Sequence, residues 1–153
     1  MKTLAVRLEG LLVEDSSAIP SADPLVAAVQ FVQALYRGSN GRVFIVSSAP
    51  EEVTSDAIRA WLRLYQIPMT DIIRLADVDD WREEDQLLTA AGARSTVLGL
   101  YVVSSYYDTE YMAAHGVPTV SFTHADPVID YRPQRGLTWD SYGLVDDEEE
   151  APV

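Results

Sequence analysis

Short runs of apolar residues alternate along the chain with longer segments in which apolar residues recur every three or four positions. The short runs are typical of strands buried on both faces of a parallel sheet, and the longer spacing is typical of helices that bury one face. We predict strands at residues 4–8, 43–46, 72–75, 97–103 and 117–122. The four segments between them have the helical spacing, so the pattern indicates a repeated strand–helix unit.

Residues that favour helix ends mark where the helices should begin. Asp23 followed by Pro24 predicts the start of the first helix, because the carboxylate caps free N–H groups and proline fits the first turn. Ser48 and Glu51 have the spacing of a capping box and predict the start of the second helix. The third helix is expected to begin at Asp80.

The order of these elements predicts the fold class. Right-handed crossovers between consecutive parallel strands build an α/β fold, a three-layer open parallel five-stranded sheet with helices on both faces. We expect the α/β domain to span residues 1–124 and an irregular, extended C-terminal arm, packed on the domain, to span residues 125–145. Residues 146–153 begin with five adjacent acids and are expected to form a solvated tail.

Charge and composition narrow the choice of partners. The chain has 153 residues, with 24 acidic against 11 basic side chains and a formal net charge of −13. This charge opposes binding to a phosphate backbone, so we expect no nucleic-acid partner. No apolar run is long enough to cross a bilayer, and the N-terminus lacks the pattern of a signal peptide. Because the sequence also has no cysteine, we expect a soluble cytoplasmic protein with no membrane partner.

Several of these segments resemble motifs of the haloacid-dehalogenase-like (HAD-like) phosphatases. Residues 6–12 resemble the first motif, a hydrophobic strand ending in Asp-x-Asp-Gly-Thr, and residues 43–47 resemble the second, a strand ending in Thr or Ser. Residues 100–105 and 115–120 resemble the fourth-motif strand and the Gly-hydrophobic-Pro strand after it. The segments similar to the phosphatase domain of phage polynucleotide kinases are residues 60–68, 71–74 and 79–85. The resemblance implies a HAD-like, Rossmann-type sheet and suggests a phage origin.

The resemblance also assigns roles to particular positions. In the family, one Asp attacks phosphorus, a second handles the proton of the leaving group, a Thr or Ser and a Lys hold the phosphoryl oxygens, and a distal acidic pair helps to bind magnesium. The corresponding positions of this chain are, in that order, Arg7, Glu9, Ser47, Gln86 and the pair Ser104 and Ser105. Ser47 is an intact match, and Glu9 is a longer carboxylate than the family's Asp.

Arginine at the first of these positions is incompatible with the family's reaction. A guanidinium cannot serve as the covalent nucleophile, and it brings positive charge to a place where Mg²⁺ needs carboxylate oxygens. Loss of the distal acidic pair removes most of the remaining magnesium site, and phosphoryl transfer depends on that charge neutralisation. The resemblance therefore implies a pseudophosphatase with no catalytic residues, no metal and no cofactor.

We expect such a chain to act as a binding or assembly module whose partner is a protein, either a second copy of itself or a different chain. One alternative is a phosphohydrolase with a relocated active site that uses Glu9, Asp15 or Asp108. The other is a phosphate or nucleotide sensor, in which an arginine and several hydroxyls converge on an anion. The residues of that anion site would be Arg7, Ser47, Ser48, Ser104 and Ser105. If Arg7 instead pairs with Glu9 or another nearby acid, no ligand site remains.

Six acids between residues 77 and 85 invite comparison with a calcium-binding loop. Such a loop needs a glycine at its central turn and a bidentate glutamate at its end. This segment has no central glycine, and Leu88 stands where the glutamate is required. Helix capping and a solvated face explain these acids better.

Aromatic residues are frequent in the second half of the chain. They are Tyr101, Tyr106, Tyr107, Tyr111, Trp139 and Tyr142. We expect them to pack in the core or to anchor the C-terminal arm. If several are exposed together at the carboxyl edge of the sheet, an interaction patch is the better interpretation.

Overall fold

The structure, a computed structural model, describes residues 3–39 and 41–125 and contains the five strands and four helices that the sequence predicts. The strands are β1 (Thr3–Arg7), β2 (Val43–Ser47), β3 (Asp71–Arg74), β4 (Leu98–Ser104) and β5 (Thr119–Phe122). The helices are α1 (Val26–Ser39), α2 (Ser55–Leu64), α3 (Glu83–Ala93) and α4 (Glu110–Ala114). A 3-10 turn at Ser16–Ala18 lies between β1 and α1.

The five strands form one parallel sheet in the order β3-β2-β1-β4-β5. The chain builds outward from β1 to β3 and then crosses to the other side of β1 to add β4 and β5. The carboxyl ends of β1, β2 and β4 therefore meet at the point where the strand order reverses. In open α/β sheets, ligands bind beyond the strand ends at such a point. The predicted α/β class is confirmed.

Two apolar clusters lie on the two faces of the sheet. Alternate side chains of β1 point to opposite faces, so Leu4 and Val6 belong to one cluster and Ala5 to the other. The helical residues of the first cluster, from α1 and α2, include Val29, Val32, Ile58 and Trp61. Those of the second cluster, from α3 and α4, are Leu87, Ala91 and Met112. Helices thus cover both faces, which gives the predicted three layers.

The predicted start of the second helix is wrong. The helix begins at Ser55, and Thr54 caps it by accepting a hydrogen bond from the backbone N–H of Ala57 at 3.1 Å. Ser48 does not cap a helix, because its side chain hydrogen-bonds to Arg7 at the end of β1. A serine with capping-box spacing is therefore used here to connect two strand ends.

Two other helices begin later than the sequence indicates. Helix α1 starts at Val26 because Pro24 is held in a short antiparallel bridge with Val13. Helix α3 starts at Glu83 because the residues before it form a tight turn, in which Val78 and Trp81 pair as an isolated bridge.

Gly10 follows β1 in a turn that disfavours any side chain. Its φ is +76°, and a Cβ at this position would lie 3.0 Å from Oγ of Ser104. Because left-handed backbone costs other residues roughly 1–2 kcal/mol, we expect Gly10→Ala to lower the free energy of unfolding by about that amount in a urea titration.

The matched control for this prediction is Gly92→Ala. Gly92 lies in α3, and a Cβ there would meet nothing within 4 Å. Alanine has the higher helix propensity, so this change should raise the free energy of unfolding by about 0.5–1 kcal/mol. Equal effects at the two glycines would contradict the argument from backbone conformation.

The C-terminal arm predicted at residues 125–145 and the acidic tail predicted at 146–153 lie outside the described residues, apart from Ala125. Trp139 and Tyr142 lie there as well. In the part of the chain that is described, none of the helices has the length and apolar character needed to cross a membrane.

Candidate functional site

The carboxyl end of the central strand carries a buried cation. Arg7 is the last residue of β1 and is only 2% exposed. Its guanidinium donates a hydrogen bond to Oε1 of Glu83 at 3.1 Å and another to Oγ of Ser48 at 2.8 Å. Arg7 therefore ties the central strand to the loop after β2 and to the first turn of α3.

Glu9 completes this arrangement from the turn after β1. Its carboxylate accepts hydrogen bonds from the Ser47 hydroxyl at 2.7 Å and from the Ser48 backbone N–H at 3.0 Å. Its Oε1 lies 3.6 Å from Nε of Arg7. We call Arg7, Glu9, Ser47, Ser48 and Glu83 the Arg7 cluster.

Two tyrosines lie beside the Arg7 cluster. The ring centroid of Tyr107 is 4.6 Å from the guanidinium carbon of Arg7, and its hydroxyl donates to the backbone oxygen of Glu9 at 3.4 Å. Burial raises the pKa of Tyr101 to about 12 despite the opposing effect of Arg7. Burial alone lowers the pKa of Arg7, but Tyr101 and Tyr107, once ionised at high pH, and the carboxylates of Glu83 and Glu9 raise it above its ordinary value. At neutral pH Arg7 is therefore a permanent cation.

The serines at the end of β4 lie apart from the Arg7 cluster in their hydrogen bonding. Ser104 is fully buried, and its hydroxyl lies against Gly10 and accepts a hydrogen bond from the backbone N–H of Tyr106 at 3.4 Å. Ser105 is exposed, and its backbone N–H donates to the Phe122 carbonyl at 3.1 Å. Of the five residues of the predicted anion site, Arg7 hydrogen-bonds to Ser48, and Ser48 and Ser47 both hydrogen-bond to Glu9. Ser104 and Ser105 take no part in these bonds.

Gln86, which the resemblance matches to the family's lysine, hydrogen-bonds to the backbone of a loop. Its side chain accepts from the backbone N–H of Ala76 at 2.7 Å and donates to the carbonyls of Ala76 at 2.8 Å and Trp81 at 3.1 Å. These bonds hold both ends of the segment between β3 and α3. Gln86 is thus a positioning residue for the loop wall next to the Arg7 cluster.

A cleft of ≈ 540 Å³ opens between this loop and the end of β2. It is lined by Ser48, Leu75, Asp77, Val78, Asp79, Asp80, Trp81, Arg82 and Glu83. Two of these residues, Ser48 and Glu83, belong to the Arg7 cluster. The cleft and the Arg7 cluster therefore share one wall.

The charges of the Arg7 cluster pair with one another, which disfavours the binding of an anionic ligand. One guanidinium faces two carboxylates, so the formal charge of the cluster is negative. Within the described residues, Nε of Arg7 is buried without a hydrogen-bond partner, and Oε1 of Glu9 lies 3.6 Å from it. No group of three or more His, Cys, Asp or Glu side chains in residues 3–39 and 41–125 is arranged to hold a metal ion.

The acids considered for a relocated active site are engaged locally. Asp15 caps the 3-10 turn and accepts from the backbone N–H of Ser17 at 2.9 Å and from its hydroxyl at 2.7 Å. These bonds lower the pKa of Asp15. Asp108 accepts from the backbone N–H of Glu110 at 2.8 Å. Glu9 is the one member of that set that lies in the Arg7 cluster.

Glu83 and Tyr107 are the residues of this site that the sequence did not single out. Glu83 lies 76 positions from Arg7 along the chain, and it belongs to the six acids for which the sequence predicts helix capping and a solvated face. A signal was present, because Glu83 lies in the first turn of α3, the helix entered from the carboxyl end of β3. Tyr107 belonged to the aromatic set without a specific role. In that set Tyr101 is buried, Tyr107 and Tyr111 are half-buried, and Tyr106 is exposed.

Comparisons with known proteins bear on the fold. No family model and no curated protein matches the sequence. A chain of a solved Pnkp1/Rnl/Hen1 complex matches 82% of this chain with a TM-score of 0.58 and 12% identity, and 47% of its own length is covered. A chain of a Pnkp1/Rnl/Hen1 RNA repair complex also matches 82% of this chain, with a TM-score of 0.57 and 12% identity. In this second match, 43% of the neighbour's own length is covered. The protein thus spans less than half of these neighbours, and at this identity the likeness shows the fold alone.

Proposed function

We propose that this protein is a catalytically inactive relative of the HAD-like phosphatases and acts as a protein-binding or assembly module. The observation that carries the proposal is Arg7, a buried and ion-paired cation at the end of the central strand. The HAD-like phosphatases that the sequence resembles present their attacking carboxylate at this strand end.

The chemistry of Arg7 argues against covalent catalysis at this position. A guanidinium stays protonated in proteins and has no lone pair to attack phosphorus. It also repels a divalent cation from the position that needs carboxylate oxygens. Ser47 and Glu9, the residues that match the family best, hydrogen-bond to each other at 2.7 Å, so neither is free to meet a phosphoryl group.

The same contacts disfavour the two alternative functions. A phosphate or nucleotide sensor needs unpaired positive charge, but Arg7 contacts two carboxylates. A relocated phosphohydrolase site needs an available acid, but Asp15 and Asp108 accept bonds from their own turns. The inactive module is the function that leaves each of these contacts undisturbed.

Both structural neighbours were solved as parts of a complex. That complex is Pnkp1/Rnl/Hen1, which in the second structure is described as an RNA repair complex. We infer that this chain joins an assembly through contacts with proteins, because its net charge of −13 opposes direct contact with an RNA backbone. Its partner in this proposal is a second copy or a different protein chain.

The proposal predicts no phosphatase activity. With generic phosphomonoesters and added Mg²⁺, the wild-type chain is expected to release phosphate at the rate of the buffer alone, because it lacks a nucleophile. Glu9→Gln is the control, since it removes the remaining carboxylate of the first motif. Equal background rates for both proteins support the proposal. Turnover by the wild type that Glu9→Gln abolishes would establish the relocated enzyme instead.

A further inference from the structure

The cleft beside the Arg7 cluster exposes apolar surface that the two core clusters do not cover. Trp81 is 44% exposed and Val78 is 50% exposed, and both side chains line the cleft. Tryptophan is among the residues that contribute most to protein interfaces when a partner buries it. These side chains therefore offer an anchoring surface inside a preformed concavity.

The wall that carries this surface is held in place by the backbone. The N–H of Trp81 donates to the carbonyl of Val78 at 3.2 Å, which closes the turn. Gln86 binds the backbone at both ends of the loop. A partner would therefore meet an ordered surface and would lose little affinity to loop ordering.

The charges around this apolar surface select the occupant. Among the described residues, Asp77, Asp79 and Asp80 line the cleft and take part in no ion pair. The arginine of the cleft, Arg82, already pairs with Glu84 at 3.3 Å and lies 3.8 Å from the ring centroid of Tyr111. The cleft thus presents uncompensated negative charge next to an exposed indole.

We propose that this cleft is the docking site for a segment of a partner protein that carries Lys or Arg next to an apolar residue. The cation would pair with the aspartates and lie against the Trp81 ring, while the apolar residue would cover Val78. The net charge of −13 would attract such a segment over a longer range. This inference deepens the proposed function, because it rests on the chain being a protein-binding module and names the chemistry of its partner.

An array of short peptides of varied composition, probed with the labelled full chain, tests the inference. Retained peptides should be enriched in Lys or Arg beside Leu, Ile, Val or an aromatic residue. The best of them is then titrated by fluorescence anisotropy. No retained peptide, or enrichment in acidic peptides, would overturn the inference.

Two variants and one control assign the binding to the cleft. The affinity for the best peptide is expected to fall roughly tenfold in each of two variants. One is the triple variant Asp77→Asn/Asp79→Asn/Asp80→Asn, and the other is Trp81→Ala. High salt should shrink the loss from the aspartate variant and leave the loss from Trp81→Ala. The control variant changes three exposed acids on other parts of the surface, Glu14→Gln, Asp23→Asn and Asp56→Asn. It should change affinity less than about twofold.

Equal losses in the aspartate variant and the control would mean that net charge alone attracts the peptide, and would overturn the docking site. This outcome is separable from failure of the proposed function. If the protein shows no phosphatase activity but does not bind the peptide, only the docking site is wrong. If the protein binds the peptide but also hydrolyses phosphomonoesters, only the proposed function is wrong.

Discussion

Arg7→Met is expected to lower the free energy of unfolding by about 2–4 kcal/mol. Methionine fills much of the space of the arginine stem but leaves the carboxylates of Glu9 and Glu83 facing each other without a cation. Breaking a buried ion pair by removing one partner costs about 3–5 kcal/mol, and the 38% exposure of Glu83 reduces that cost. The midpoint of a urea titration at neutral pH measures the effect.

Arg59→Met is the matched control for this substitution. Arg59 also pairs with an acid, Asp56 at 3.3 Å, but both side chains are exposed on α2. Its replacement should change the free energy of unfolding by less than about 0.5 kcal/mol. If the two methionine variants unfold at the same urea concentration, Arg7 does not hold the strand ends together.

Gln86→Leu is expected to cost about 2–3 kcal/mol and to loosen the loop between β3 and α3. Leucine is close in volume but leaves the backbone N–H and carbonyl of Ala76 and the carbonyl of Trp81 without their side-chain partner. Unsatisfied polar groups of this kind cost about 1–3 kcal/mol each when they stay buried, and solvent entry recovers part of that cost. Urea unfolding measures the stability, and amide hydrogen exchange over residues 76–81 measures the loop.

The same substitution at Gln33 separates this role from a general loss of hydrogen bonds. Gln33 donates to the carbonyls of Tyr65 at 3.4 Å and Gln66 at 3.1 Å, but it lies on a half-exposed part of α1 where water can replace it. Gln33→Leu should cost less than about 1 kcal/mol and leave exchange at residues 76–81 unchanged. Slow exchange there in Gln86→Leu would show that the loop is ordered without Gln86.

The fold could be predicted because each strand is recognisable from its own local sequence. A run such as residues 43–46 is apolar and rich in β-branched residues over its full length, which fits a strand covered on both faces. Helix starts were less predictable, because Ser48 and Thr54 are both competent caps and the tertiary contact with Arg7 decides between them. The spacing of residues near Ser48 does not predict its contact with Arg7, which is 41 positions away along the chain.

The candidate site could be predicted in part for the same reason. Arg7, Glu9 and Ser47 follow or end strands, so their meeting at one edge follows from strand order. Glu83 could not be paired with Arg7 from the sequence, because the contact joins residues 76 positions apart and depends on how α3 packs against the sheet. Likewise, nothing local shows that Gln86 turns toward the loop backbone.

Titration calorimetry with orthovanadate, a mimic of the transferring phosphoryl group, tests most directly whether the Arg7 cluster has closed this strand end to phosphoryl chemistry. In the presence of Mg²⁺, a flat isotherm is expected for the wild-type chain, because Arg7 is already paired with Glu83 and Glu9. Saturable binding that requires Mg²⁺ and disappears in Ser47→Ala would contradict it.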